Sequence, residues 1–348
     1  MPRSIRVIST SLTHFGKKKK TIISLPINKA LSGITTKNNK LYLLIGEIGQ
    51  SVERVIVYDP INDRIETDYT TDLVDNWYDI RPLTFSNNGS FVLANGTYWK
   101  YDTTTKTYQT INLGINPVYY TKWLEDGFIV FTDNSIRKYD LNGNLLNSIS
   151  VSYPTIYYVL SCVDMGNKVV IYGYWWNVFY VFDINTFQLN SYNIPFVIQS
   201  WCGYAIYPIK DTNKLHMYDL DSHKLYLFDL DTQQMTLVRD FSNEDFTARW
   251  GVDVFFSNDG KIIFLYYATP YAQYHYETFV YNTETNEIRN IPIGYELVSV
   301  IENKDTRIFL IREYSTVIYD YNNDKVIGAI GNAPTSLLYT DGEISFTV

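Results

Sequence analysis

Val280-Tyr281-Asn282-Thr283-Glu284-Thr285-Asn286 is the stretch on which the reading of this chain turns. Strand-forming residues run into an aromatic, the aromatic is followed by Asn, and a short polar run then reverses the chain. Val, Tyr and Thr suit a pleated, half-buried strand, and an Asn or Asp side chain accepts the backbone N–H two residues on and closes a turn. Outward from this copy the pattern returns six times, as Val57-Tyr58-Asp59, Lys100-Tyr101-Asp102, Lys138-Tyr139-Asp140, Val181-Phe182-Asp183, Leu227-Phe228-Asp229 and Ile318-Tyr319-Asp320. Successive aromatics lie 43, 38, 43, 46, 53 and 38 residues apart, an average of 43.5.

A self-similar period of this length is the mark of a repeat architecture, and about 40–45 residues is what one four-stranded propeller blade takes. Each aromatic-Asp/Asn pair reads as the end of a blade's third strand, C. Polar turns follow, such as Pro60-Ile61-Asn62-Asp63 and Asn142-Gly143-Asn144, and then a fourth strand, D. Phe85-Ser86-Asn87-Asn88-Gly89 and Phe256-Ser257-Asn258-Asp259-Gly260 read as hairpins between strands A and B. Asn-Gly and Asp-Gly supply the positive φ that tight hairpins need. No segment sustains a helical period, so the fold class is all-β.

The two ends of the chain read as parts of one blade. Asp341-Gly342-Glu343-Ile344-Ser345-Phe346-Thr347 matches the interior run Asp126-Gly127-Phe128-Ile129-Val130-Phe131-Thr132. The interior copy continues with Ser135-Ile136-Arg137, and the N-terminus opens with Ser4-Ile5-Arg6. The expectation is an eight-bladed β-propeller, closed by a splice of two C-terminal strands with two N-terminal ones. Closure of this kind removes two exposed sheet edges. Within a single domain over 1–348 the blades fall at about 30–69, 78–112, 119–151, 156–193, 200–240, 250–291 and 295–330, with the eighth made of 335–348 plus 4–25. The rival is a seven-bladed ring with terminal extensions.

Composition narrows the function classes. The net charge is −8 and the pI near 5.1, which makes nucleic acid and anionic membranes poor partners. No run reaches the roughly 20 apolar residues of a membrane-spanning helix. Met1 to Leu12 lacks the apolar core of a signal peptide, so the expected location is cytoplasmic, with a virion or cell surface as the alternative. The 32 tyrosines suit strands and also recognition surfaces, since Tyr offers a large amphipathic ring with few rotatable bonds.

Val280 to Gly294, which continues Glu287-Ile288-Arg289-Asn290-Ile291-Pro292-Ile293-Gly294, resembles the YVTN-type β-propeller repeat. Ser257-Asn258-Asp259-Gly260 is similar to that repeat's Ser-Pro-Asp-Gly hairpin. The resemblance covers about a third of the chain. It implies the propeller fold, in a group that includes surface-layer and other cell-surface proteins and lactonase-like enzymes. No catalytic motif of the enzyme members is present to be carried over. The Gly-His and Trp-Asp pairs of WD40 repeats and the paired glycines of kelch repeats are absent as well.

In such a fold the D–A and B–C loops share one face, and here that face is expected to be aromatic. Trp77, Tyr78, Tyr119, Tyr120, Tyr157, Tyr158, Trp201, Trp250 and Tyr295 stand near the starts of A strands. Trp175 and Trp176, and Tyr271, Tyr274, His275 and Tyr276, stand in B–C connections. Arg81 and Arg249, with Lys122, Gln199 and Asp253, supply polar partners. Aromatics with a few Arg make a surface for a protein partner or for sugar rings. The competing reading packs the same rings between blades.

The remaining motifs point to no cofactor and no metal. His14, His216, His223 and His275 lack ligand spacing. Asp219, Asp221, Asp229 and Asp231 could supply oxygens to calcium, but they read as turn residues. Lys17 to Lys20 read as a solvated hairpin tip, with an anionic partner as the alternative, and Cys162 and Cys202, one period apart, read as free buried thiols. The leading functional expectation is a non-enzymatic binding or assembly module for a protein or glycan, in a surface or virion-associated setting. The alternative is a propeller enzyme, lactonase-like hydrolase or glycan-active lyase, drawing on Asp79, Asp253 and Glu296.

Overall fold

In the computed structural model, residues 4–7, 21–24, 29–37, 40–47, 51–59, 64–70, 86–93, 95–154, 160–198, 205–209, 212–244, 250–256, 262–268, 276–291, 297–302, 307–311, 315–320 and 325–331 are described. Among them every regular element is a strand. β1 (Ser4–Val7) pairs antiparallel with β2 (Thr21–Ser24). β3 (Lys29–Lys37), β4 (Lys40–Glu47), β5 (Ser51–Asp59) and β6 (Arg64–Thr70) form a four-stranded sheet in chain order. β7 (Phe91–Val92), β8 (Thr97–Asp102) and β9 (Thr107–Asn112) form a sheet of three described strands.

Four further sheets repeat the four-stranded order. They are β10 (Val118–Trp123) to β11 (Gly127–Thr132), β12 (Ser135–Asp140) and β13 (Leu145–Ser150); then β14 (Leu160–Asp164), β15 (Lys168–Gly173), β16 (Val178–Asp183) and β17 (Gln188–Asn193). β18 (Ile206–Pro208), β19 (Lys214–Asp219), β20 (Lys224–Asp229) and β21 (Gln234–Asp240) come next, followed by β22 (Trp250–Phe256), β23 (Ile262–Ala268), β24 (Tyr276–Asn282) and β25 (Glu287–Ile291). β26 (Leu297–Glu302), β27 (Arg307–Ile311), β28 (Ser315–Asp320) and β29 (Lys325–Gly331) form the last. The seven aromatic-Asp/Asn pairs end β5, β8, β12, β16, β20, β24 and β28.

Consecutive strands pair because polar turns of a few residues leave the chain no other neighbour within reach. In the β10–β13, β14–β17 and β18–β21 sheets burial falls from the second strand to the fourth. β11 is buried along its whole length, as its run of Phe128-Ile129-Val130-Phe131 requires, β12 in part, and β13 is exposed at nearly every position. β15 and β17 show the same contrast, as do β19 and β21. The second strand is thus covered on both faces and the fourth meets solvent, where Leu145, Leu146 and Leu237 stay exposed.

The chain divides into two compact units, Met1–Tyr153 with Ile301–Leu310 and Tyr314–Val348, and Pro154–Val300 with Ile311–Glu313. In the first, Val92, Tyr98, Leu113, Ile115, Val118, Phe128, Val130 and Tyr139 pack between the β7–β9 and β10–β13 sheets. The Tyr98 hydroxyl donates to the Leu141 carbonyl at 3.1 Å, and Lys100 Nζ donates to Asn142 Oδ1 at 2.6 Å. In the second unit, Phe179 stacks on Tyr192 at 5.1 Å and meets Phe228 edge-on at 5.2 Å, joining the β14–β17 and β18–β21 sheets. Tyr218, Leu225, Phe241, Val254 and Tyr281 carry the core on toward β22–β25.

Closure through residues 335–348 lies outside the described residues; the N-terminal half of that expected blade is the β1–β2 pair. Among the described residues, no helix is long and apolar enough to cross a membrane.

Candidate functional site

The turns are the part of this fold free to carry function, so it matters which of them are closed by their own side chains. Asp102 Oδ1 accepts the N–H groups of Thr104 and Thr105, at 2.7 and 3.1 Å. Asp183 does the same with Asn185 and Thr186, Asp229 with Asp231 and Thr232, and Asn282 with Glu284 and Thr285. Asp140 takes Asn142 and Asn144. These hydrogen bonds hold the carboxyls of Asp102, Asp140 and Asp229 below the ordinary aspartate range, because they favour the charged acceptor. In these five copies the repeated Asp or Asn is therefore a turn-closing residue.

The calcium alternative for Asp219, Asp221, Asp229 and Asp231 meets the same geometry. Asp219 caps the turn before β20, through Asp221 N–H at 3.1 Å, and Asp229 caps the turn after it. Six residues of strand put the two caps about 16 Å apart, at opposite ends of β20. Among the described residues no three His, Cys, Asp or Glu side chains gather as metal ligands. Cys162, on β14, carries a free thiol whose pKa burial pushes far above its ordinary value. Cys202, His14 and His275 lie outside the described residues.

Of the expected aromatic surface, Tyr119, Tyr120, Trp175 and Trp176 are described with their side chains. Tyr119 and Tyr120 are half-buried at the start of β10, and the Tyr120 ring meets Phe131 on β11 at 5.7 Å. A register shift between Val118 and Tyr120 marks a bulge there. Trp250 opens β22, opposite Ala268. Trp77, Tyr78, Arg81, Tyr157, Tyr158, Trp201, Arg249, Tyr271 and Tyr274 lie outside the described residues.

Trp175 and Trp176 are adjacent in sequence and opposite in fate. β15 ends at Gly173, whose carbonyl accepts the Trp176 N–H at 3.3 Å and closes the turn Gly173-Tyr174-Trp175-Trp176 into β16. Trp176 is 2% exposed and its ring lies directly over Gly173, where any Cβ would meet it. Although expected at a binding surface, Trp176 serves to pin the turn. Trp175 instead is 52% exposed, with the Tyr174 ring edge-on to it at 5.1 Å.

The backbone that presents Trp175 is itself unusual. Its φ is +66°, at the third position of the turn, a place that belongs to Gly or Asn. The other described non-glycine residues with positive φ are Lys106, Phe187, His223, Gln233 and Asn286. Each stands four places after a turn-closing Asp or Asn. Trp175 has no such cap. Two backbone hydrogen bonds to the connection after β17 hold it, Trp175 N–H to Ile198 carbonyl at 2.7 Å and Ile198 N–H to Trp176 carbonyl at 2.8 Å. Ile194 N–H adds a third, to the Asn177 carbonyl. Sequence reading had no signal for this buttress, since its two halves lie some twenty residues apart.

A concavity sits at the other end of these strands. It holds about 680 Å³ between the β14–β15 turn at Met165-Gly166-Asn167 and the β18–β19 connection at Ile209 to Asn213. Beside it Lys168 Nζ donates to Asn213 Oδ1, and Asn213 Nδ2 donates to Asp231. Within its lining Asp164 accepts the Gly166 N–H and the Thr212 hydroxyl donates to the Ile209 carbonyl.

No protein-family model and no curated protein matches the chain. Among solved structures it is similar to dihydro-heme d1 dehydrogenase NirN in complex with DHE, a β-propeller of the cytochrome d1 kind, with a TM-score of 0.62 and 13% sequence identity over 91% of this chain and 72% of that one. At that identity the likeness shows the fold alone. Together with the ordered four-stranded antiparallel sheets, it defines this chain as an all-β protein of propeller type.

Proposed function

We propose that this protein is a non-enzymatic recognition module that holds a macromolecular partner, protein or glycan, through aromatic side chains on the turns and connections at the ends of its strands. The observation that carries the reading is Trp175. A tryptophan half open to water, in a backbone conformation that favours another residue, and held there by its neighbours, serves contact better than it serves folding. Strain retained at a surface position is characteristic of ligand-binding sites. Large exposed rings are the side chains from which recognition hot spots are made.

The finer architecture belongs to the same proposal. Eight blades, with 335–348 and 4–25 completing one of them, give a rigid disc whose loops are free to vary. The 43.5-residue period and the match of Asp341–Thr347 to Asp126–Thr132 support it. A virion or cell surface is a setting that suits this reading, as an alternative to the cytoplasm. Tyr-rich composition and the likeness to YVTN-type surface repeats support that. An acidic chain of net charge −8 is unsuited to nucleic acid.

The test is capture by immobilised protein, of glycans from an array and of proteins from a host lysate, compared with a variant carrying Tyr119→Ala, Tyr120→Ala and Trp175→Ala. The expected result is capture that the variant loses. Capture that the variant keeps undiminished overturns the aromatic reading.

A further inference from the structure

We infer that the Tyr174–Trp175 turn is a stacking platform for an uncharged sugar ring, and that Trp175 is kept at a glycine-type backbone position for that purpose. The inference rests on the recognition reading above and assigns its ligand class at this turn. Three observations converge on it.

Presentation is the first. Trp175 is half exposed, and the Tyr174 ring stands against it at 70° with centroids 5.1 Å apart. The pair forms a corner with one broad apolar face and a hydroxyl-bearing edge. That shape suits a pyranose, which has apolar C–H faces and a polar rim.

Charge is the second. Between Lys168 and Lys210 the sequence holds a single charged residue, Asp183, in a chain that is 19% charged. Asp183 caps its own turn through Asn185 and Thr186, at the far end of β16 from Trp175. The β15–β16 turn and the Ile194–Ile198 buttress are thus built without charges. Neither segment offers a counter-ion to a phosphorylated or acidic ligand, while a neutral polyhydroxyl ligand needs none.

Strain is the third. A Trp at φ +66° is an outlier for a bulky side chain. Asn or Gly would occupy the position more easily and would leave the hydrogen bonds of Ile198 to the turn backbone intact. The indole is not a core side chain, being 52% exposed. Contact with something outside the chain would account for a Trp at this position.

The experiment is affinity electrophoresis of the full chain in gels containing hydroxyethylcellulose, galactomannan or soluble starch, with alginate as the anionic comparison. Wild type, Trp175→Asn, and a Tyr119→Ala/Tyr120→Ala variant are run side by side, and each is melted. The expected result is retardation of wild type in at least one neutral gel, insensitive to added NaCl. Trp175→Asn should weaken it by about tenfold or more, with a melting temperature equal to or above wild type.

Wild type slowed by no neutral gel, or slowed only in alginate and released by salt, overturns the sugar assignment; the capture experiment above still judges the broader reading. Retardation that Trp175→Asn keeps overturns the role of Trp175. If the tyrosine variant loses it in that case, the aromatic reading stands without Trp175. Loss of retardation together with a fall of several degrees in melting temperature marks Trp175 as structural and overturns the inference.

Discussion

A Cβ placed on Gly173 would lie 2.5 Å from the indole of Trp176. The end of β15 and the ring that covers it are therefore one unit: glycine lets the indole lie flat on the strand, and the indole closes the turn that lifts Trp175 into solvent. Gly173→Ala is expected to destabilise the protein by about 1–3 kcal/mol, as overpacking does. Urea denaturation measures it, and an unchanged midpoint would show that Trp176 can move aside freely.

Phe179 joins two sheets. It is fully buried, stacked on Tyr192 and edge-on to Phe228. Phe179→Ala removes a large ring from a site with no slack, and the expected loss is about 3–5 kcal/mol. A loss below about 1 kcal/mol, read from the same denaturation curves, would mean that the neighbouring sheets collapse onto the gap.

The contact between Tyr98 and Leu141 is smaller and separable. Tyr98→Phe keeps the ring and removes only the hydroxyl that donates to the Leu141 carbonyl. The expected cost is about 1 kcal/mol, with no change in the spectroscopic signature of the fold.

Acid sensitivity follows from the capping carboxylates. Asp102, Asp140 and Asp229 are held below the ordinary value of 3.8 in the folded chain, first of all by hydrogen bonds from Thr104, Asn144 and Thr232 respectively. As pH falls, protons bind the unfolded chain before the folded one, so stability present above about pH 4 is lost progressively below it. Melting temperature should fall over that range. Asp229→Asn should remove this site's share of the fall yet keep the turn, as Asn282 does naturally with Glu284 and Thr285. Asp229→Ala should lower stability at neutral pH.

Ring closure can be tested by chemistry. In the interior copy Val130 faces Arg137 across β11 and β12, and the matching residues at the termini are Ser345 and Arg6. Arg6→Cys with Ser345→Cys should form a disulfide on mild oxidation, identified by peptide mapping. Arg6→Cys with Ile344→Cys, one residue out of register, should not. Equal linkage of both pairs, or of neither, would count against the splice.

The period of the chain and its strand-turn order were legible in the residues because their causes are local. Asp102 reaches the N–H groups of Thr104 and Thr105 whatever the rest of the molecule does, so seven aromatic-Asp/Asn pairs announce seven turns. The buried run of β11 likewise shows in its own composition, whereas the exposure of β13, which opens with Leu145-Leu146, does not. Nor does the division of labour between two adjacent tryptophans. By sequence alone Trp175 and Trp176 are the same residue in the same turn. What separates them is the passage of Ile198 alongside, which fixes the backbone at φ +66° and sends one indole down over Gly173 and the other out to water. Local hydrogen bonds decide where the chain turns; only packing against a segment distant in sequence decides which side chain the turn exposes.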